Sequence, residues 1–202
     1  MTGNLYVIVA PSGAGKTSLV DALLKEERGM RLSVSYTTRA PREGEVAGRN
    51  YHFVSRGEFE SMLARAEFLE HAEVYGNLYG TSKRWIGEVR ATGADVLLEI
   101  DWQGAAQVRK LFPDMIAIFI LPPSVDTLQQ RLTARGKDSP EVIARRVAGA
   151  REEMRHVDAA DFIIINDDFA TALGDLRAVV RATRLARAMQ MARHAALISK
   201  VV

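Results

Sequence analysis

Leu5–Val9 is a continuous apolar run, not an alternating one. That pattern suits a strand buried on both faces, as in a parallel sheet. Asp95–Ile100, Met115–Leu121 and Phe162–Asn166 share the character and predict three more buried strands. Between them the apolar spacing changes to the helical period at residues 17–25, 102–110 and 125–135. Alternation of buried strand and helix predicts an α/β fold, with a three-layer core around a central parallel sheet.

Two segments interrupt that alternation. Residues 33–94 hold short strand-like pieces, glycines and aromatics, at 34–36, 50–54, 74–75 and 78–79, and predict a small mixed insert. Residues 124–150 are helical and arginine-dense. A turn at 136–140 precedes a helix from Pro140, for which Ser139 is the expected N-cap. The reading is one domain at 1–202. Its core spans 1–32, 95–123 and 151–202, with the insert at 33–94 and a lid at 124–150.

The composition is that of an ordinary globular chain, 48% hydrophobic and 26% charged. Its longest apolar runs are too short to span a bilayer, and no secretory pattern opens the chain. There is no cysteine, so disulfides and thiolate metal sites are excluded. Together these predict a cytoplasmic protein. Net charge is +2 but uneven: the 21 basic and 25 acidic residues of 1–175 leave −4, and six Lys/Arg with no acid follow Asp175. Aromatics are not interleaved in that basic tail, so a solvated helical face is expected there and nucleic-acid binding is not.

The segment Ala10-Pro-Ser-Gly-Ala-Gly-Lys-Thr17 lies between a strand and a helix and fits the pattern G-x-x-x-x-G-K-[ST], except for alanine at the first position. Glycines turn backbone N–H groups inward as an anion nest, and the helix adds its positive end. Lys16 supplies charge at the β/γ-phosphates, and Thr17 offers a hydroxyl to Mg²⁺. The loop residues Ser12, Gly13, Ala14, Gly15, Lys16, Thr17 and Ser18 are therefore the expected ATP site, with Mg²⁺ as cofactor. No Asn-Lys-x-Asp segment occurs, which argues against a GTPase. Further along, Arg39 and Arg42 flank Pro41 and suit a monophosphate dianion. Glu70, a pure acceptor, can read the paired N1–H and N2–H₂ donors of guanine, which adenine lacks.

Five segments together resemble the bacterial guanylate kinases: A-P-S-G-A-G-K-T, S-Y-T-T-R-A-P-R-E-G-E, F-L-E-H-A-E-V-Y-G-N-L-Y-G-T, L-L-E-I-D-W-Q-G and R-L-T-A-R-G. The resemblance implies an ATP:GMP phosphotransferase. It assigns Arg39, Arg42, Tyr51 and Tyr79 to the acceptor phosphate, and Ser35, Glu70, Thr81 and Asp101 to guanine. Glu45 joins that set as an acid of the same loop. The resemblance assigns Arg131, Arg135 and Arg146 to a lid that closes over the transferring group, so Lys16, Arg39 and these three are the expected catalytic set. Arg145 reads as a solvated neighbour. Asn166 falls near adenine, and Glu99 near the metal or its waters. Two other readings stay open: a kinase for another nucleoside monophosphate, and a non-catalytic module that keeps the acceptor-site shape. ATP and GMP are the expected partners, without membrane. Leu185, Met189, Met191, Leu197 and Ile198 of a C-terminal helix are expected to pack on the core or on a second subunit.

Overall fold

The computed structural model describes residues 2–134, 136 and 139–202. Nine strands are present among them: β1 Leu5–Val9, β2 Met30–Leu32, β3 Tyr36–Thr37, β4 His52–Phe53, β5 Phe68–Val74, β6 Asn77–Ser82, β7 Asp95–Glu99, β8 Ile116–Leu121 and β9 Phe162–Ile165. The helices are α1 Lys16–Glu26, α2 Arg56–Ala64, α3 Lys83–Ala91, α4 Trp102–Leu111, α5 Val125–Ala134, α6 Pro140–Met154, α7 Phe169–Arg184, α8 Arg187–Arg193 and α9 Ala195–Ile198.

The five-stranded sheet runs β2-β7-β1-β8-β9, every pair parallel. The apolar run of β1 sits at its centre with all five residues buried. Apolar side chains on both faces require cover on both faces. One side packs Tyr6, Ile8, Leu97, Ile118 and Ile120 against Leu19 and Leu23 of α1 and Leu176 and Val180 of α7. The other packs Val7, Val96, Leu98 and Phe119 against Ile86 of α3 and Val108 of α4. Parallel strands all end on the same edge, and the loops after β1 and β7 open into one crevice there.

β9 departs from the expectation of a buried strand. It is an edge strand, and only Ile164 is covered; Phe162, Ile163 and Ile165 are exposed. The C-terminal helix also differs from the expectation. α7 packs on the sheet through Ala172, Leu176 and Val180, then the chain breaks into short α8 and α9, which bury no residue. Two tail arginines turn inward. Arg184 Nε donates to Asp95 at 2.7 Å and also meets Glu27, and Arg177 pairs with Glu26 at 2.9 Å.

The second sheet, β4-β3-β6-β5, is mixed and lies within residues 33–94. It covers a small cluster of its own: Phe59, Met62 and Phe68, with Phe59 and Phe68 stacked at 4.4 Å. The C-terminal helix of that segment, α3, packs with the main core through Ile86. α5 and α6 form a further unit around Leu128, Leu132 and Ala150. Ser139 caps α6, its Oγ accepting from Val142 N–H at 3.4 Å.

Candidate active site

The loop after β1 turns through Gly13 at φ 96° and Gly15 at φ 93°, a region that favours glycine. Ala10 is buried and keeps a negative φ, so a methyl group there meets no backbone obstacle. Crowding adds a second reason for the glycines. A Cβ on Gly15 would lie 2.3 Å from Asn166 Nδ2, and one on Gly13 would lie 3.1 Å from Leu132 of α5. Asn166, 4% exposed at the end of β9, donates from Nδ2 to Ala14 O at 2.7 Å and so ties the loop to the far strand. No side chain caps α1, whose N-cap is Gly15 of the loop. Lys16 bends back so that Nζ donates to Ile100 O at 3.4 Å. Thr17 and Ser18 stand exposed on the first turn of α1.

β7 ends in Glu99, beside Lys16 and Thr17. Burial raises the Glu99 pKa, and Asp21 adds to the effect, while Lys16 and the Thr17 hydroxyl oppose it. Its Oε1 is buried with no hydrogen-bond partner. Two residues on, Asp101 accepts from Gly104 N–H at 2.8 Å as the N-cap of α4.

Across the crevice, Glu70 on β5 is 3% exposed. One oxygen accepts from Thr81 Oγ1 on neighbouring β6, and Ser35 Oγ lies 3.5 Å from the same Thr81 oxygen. The other oxygen presses on α4, where a Cβ at Gly104 would lie 2.5 Å from it. Burial pushes the Glu70 carboxyl up to about 7; Thr81 works against the shift and Asp101 adds to it. The second cluster is arginine-based. Arg39 donates from Nη2 to both oxygens of Glu45, at 2.8 and 3.0 Å, and Arg42 N–H donates to Glu45 at 2.7 Å. The Arg39 guanidinium lies 5.3 Å from the Tyr51 ring, and Tyr51 meets Tyr79 edge-on at 5.9 Å. Glu45 thus holds the arginine loop in shape from behind, while Arg42, Tyr51 and Tyr79 face the open space.

That space is a cleft of about 450 Å³. The phosphate-type loop, Ser35, Glu70, Asp101 and residues of α6 all line it. Of the expected site residues, Ser12, Gly13, Gly15, Lys16, Thr17, Ser35, Arg42, Tyr51, Glu70, Tyr79, Glu99, Asp101 and Arg146 line this cavity, whereas Ala14, Ser18, Arg39, Glu45, Thr81, Asn166 and Arg131 lie outside its lining. Arg131 on α5 donates from Nη2 to Asn166 O at 2.9 Å, and its Nη1 is buried without a partner. Arg146 on α6 donates to Ser12 Oγ from Nε at 3.1 Å and Nη2 at 2.5 Å. Arg135 lies outside the described residues.

Cleft residues outside the expected site include Tyr75, Val142, Arg145 and Glu153. Arg145 faces the cleft instead of open solvent alone. Burial pushes the Glu153 carboxyl up to about 6; Asp101 adds to this, whereas Lys16, the Ser12 N–H and Arg146 favour its ionised form. Helical spacing finds two of them: Val142 and Glu153 share a face of α6 with Arg146, which marks that face.

The family model described as guanylate kinase matches residues 2–183. The guanylate kinase of Dechloromonas aromatica is 62% identical over 202 residues, covering 100% of both chains. That of Thiobacillus denitrificans is 60% identical over 198 residues, 98% of this chain and 95% of the relative. The crystal structure of guanylate kinase from Anaplasma phagocytophilum superposes with a TM-score of 0.77 at 32% identity, covering 95% of each chain. Matches of this extent, over a cleft built from the same segments, leave one conclusion: the chain belongs to the guanylate kinase family.

Proposed function

We propose that the cleft transfers the γ-phosphoryl group of ATP to GMP, giving ADP and GDP, and that dGMP is also an acceptor. The observation that carries this reading is Glu70, a buried acceptor suited to guanine donors, lining the same cleft as Lys16. A phosphate oxygen of GMP attacks the γ-phosphorus in line. The new P–O bond forms as the bond to the bridging β-oxygen breaks, and ADP carries away the electron pair. No protein nucleophile is required, so the residues position the reactants and neutralise charge. Ser12 to Ser18 cradle the donor phosphates, with Asn166 near adenine. Lys16 neutralises the donor phosphates, and Arg131, Arg135 and Arg146 surround the moving group. Arg131 Nη1, buried and unpartnered, is a donor in want of such an acceptor.

Arg39 and Arg42 hold the attacking phosphate with Tyr51 and Tyr79. Glu45 keeps that pair in register, while Ser35, Glu70, Thr81 and Asp101 read guanine. Mg²⁺ entering with ATP fits the same place: the Thr17 hydroxyl would hold it directly and Glu99 through water, which would satisfy the orphaned Glu99 Oε1. When bound, the ion offsets negative charge on the phosphates. Insert 33–94 and lid 124–150 close over the core and exclude water. The protein serves purine nucleotide metabolism in the cytoplasm. A coupled assay of ADP release with a panel of nucleoside monophosphates tests the reading. GMP should give the highest kcat/KM, and faster turnover with AMP would overturn it.

A further inference from the structure

Two residues in the structure contradict their local surroundings. Tyr75 opens the two-residue turn between β5 and β6, with φ 50°, followed by Gly76 at φ 79°. Such a turn favours Asn, Asp or Gly at its first position; a large aromatic in the left-handed region is strained there. Gly149 lies inside α6 with ordinary helical backbone. Nothing in its dihedral angles asks for glycine, and alanine would favour the helix.

Each exception accounts for the other. A Cβ on Gly149 would lie 2.6 Å from Tyr75 Oη and 3.6 Å from Cζ. The tyrosine ring spans from the insert to the lid helix, and the missing side chain is the notch that receives it. The notch sits on the face that also carries Arg146 and Glu153, three residues before it and four after. Arg146 holds the phosphate-type loop at Ser12 through the hydroxyl, and Glu153 lines the same cleft and feels the charge of Arg146 and Lys16. Tyr75 lies in the field of the same two side chains. One helix face thus joins the tip of the insert to the donor loop.

We propose that Tyr75 is a positioning residue that couples the two nucleotide sites. Seated in the Gly149 notch, it transmits closure of the insert to α6, and α6 sets Arg146 and Ser12 against the donor phosphates. The inference rests on the assignment of GMP to the insert and ATP to the loop. Coupling between sites is reciprocal, so each nucleotide tightens the other.

The test is calorimetric titration of the full chain with a non-hydrolysable ATP analogue, with and without GMP, beside steady-state kinetics. Wild type should bind the analogue about fivefold more tightly with GMP present. Gly149→Ala should cut that factor to below twofold and lower kcat about tenfold, while melting no lower than wild type because the helix gains. Tyr75→Asn suits the turn and removes the ring, and should lose the same coupling. In the Tyr75→Asn background Gly149→Ala should have no further effect, since the atom it would strike is gone. Full coupling and wild-type kcat in Gly149→Ala, or additive effects in the double variant, would overturn the proposal. So would an active wild type with no coupling. A wild type that forms no ADP with GMP would overturn the kinase assignment itself, which separates the two failures.

Discussion

A carboxylate as enclosed as Glu70 holds its charge poorly, yet the guanine contact proposed for it requires the ionised, accepting form. Its carboxyl titrates near 7 because burial disfavours the anion. GMP brings two N–H donors that favour it. Binding below neutrality should therefore release a proton, and GMP affinity should rise about tenfold between pH 6 and 8. Calorimetry in buffers of different ionisation enthalpy would count that proton. Glu70→Gln should flatten the added slope and weaken GMP at every pH. The same shift acts on folding with the opposite sense. A carboxyl raised in the folded state stabilises below its unfolded value near 4.5, and that contribution is lost as pH rises through about 7. Lys16 is the simpler case. Lys16→Ala should leave the circular dichroism spectrum intact and lower kcat by about 10²–10³-fold; unchanged turnover would remove the loop from the mechanism.

At the scale of elements, the ends of the parallel strands decide what meets what. Gly15 shows how little room remains. Gly15→Ala must hold a left-handed φ and displace Asn166, and should cost about 1–3 kcal/mol. Thermal melting should show it as a loss of roughly 2–12 °C, with ATP affinity reduced. The sequence exposes β1, β7 and β8 because burial on both faces leaves an unbroken apolar signature. β2 is invisible by the same logic: Met30-Arg-Leu32 is three residues long, too short for any period. β9 carries the apolar signature and still lies at an edge, since local composition does not reveal what flanks a strand. In the site, loop glycines and paired arginines are legible because their chemistry is local. Tyr75 and Arg145 are not, because only the packing of the insert turn and of α6 around the cleft brings them there. Glu45 is half legible: the acid is visible, its attachment to Arg39 is not.

For the whole molecule, charge and packing separate the catalytic body from the C-terminal segment. Arg177 and Arg184 are engaged by Glu26, Glu27 and Asp95, so the tail is less freely basic than its composition indicates. Beyond α7 the short helices bury nothing. A chain ended after Ala186 should keep kcat/KM for GMP within about twofold and melt within about 3 °C of the full chain. A large loss would show that α8 and α9 support the site, and a change in sedimentation alone would assign them to self-association.

The apolar interior is divided. Two large clusters sandwich the sheet, whereas the insert and the lid each keep a small one of three buried residues. Independent cores of unequal size imply unequal resistance to opening. Amide hydrogens of β1, β7 and β8 should exchange only with global unfolding. Those of α2, α5 and α6 should exchange orders of magnitude sooner, through partial openings that leave the sheet intact. The parts proposed to close over substrate should then also be the parts a protease or a denaturant reaches first, and bound nucleotide, by bridging them to the sheet, should erase that hierarchy.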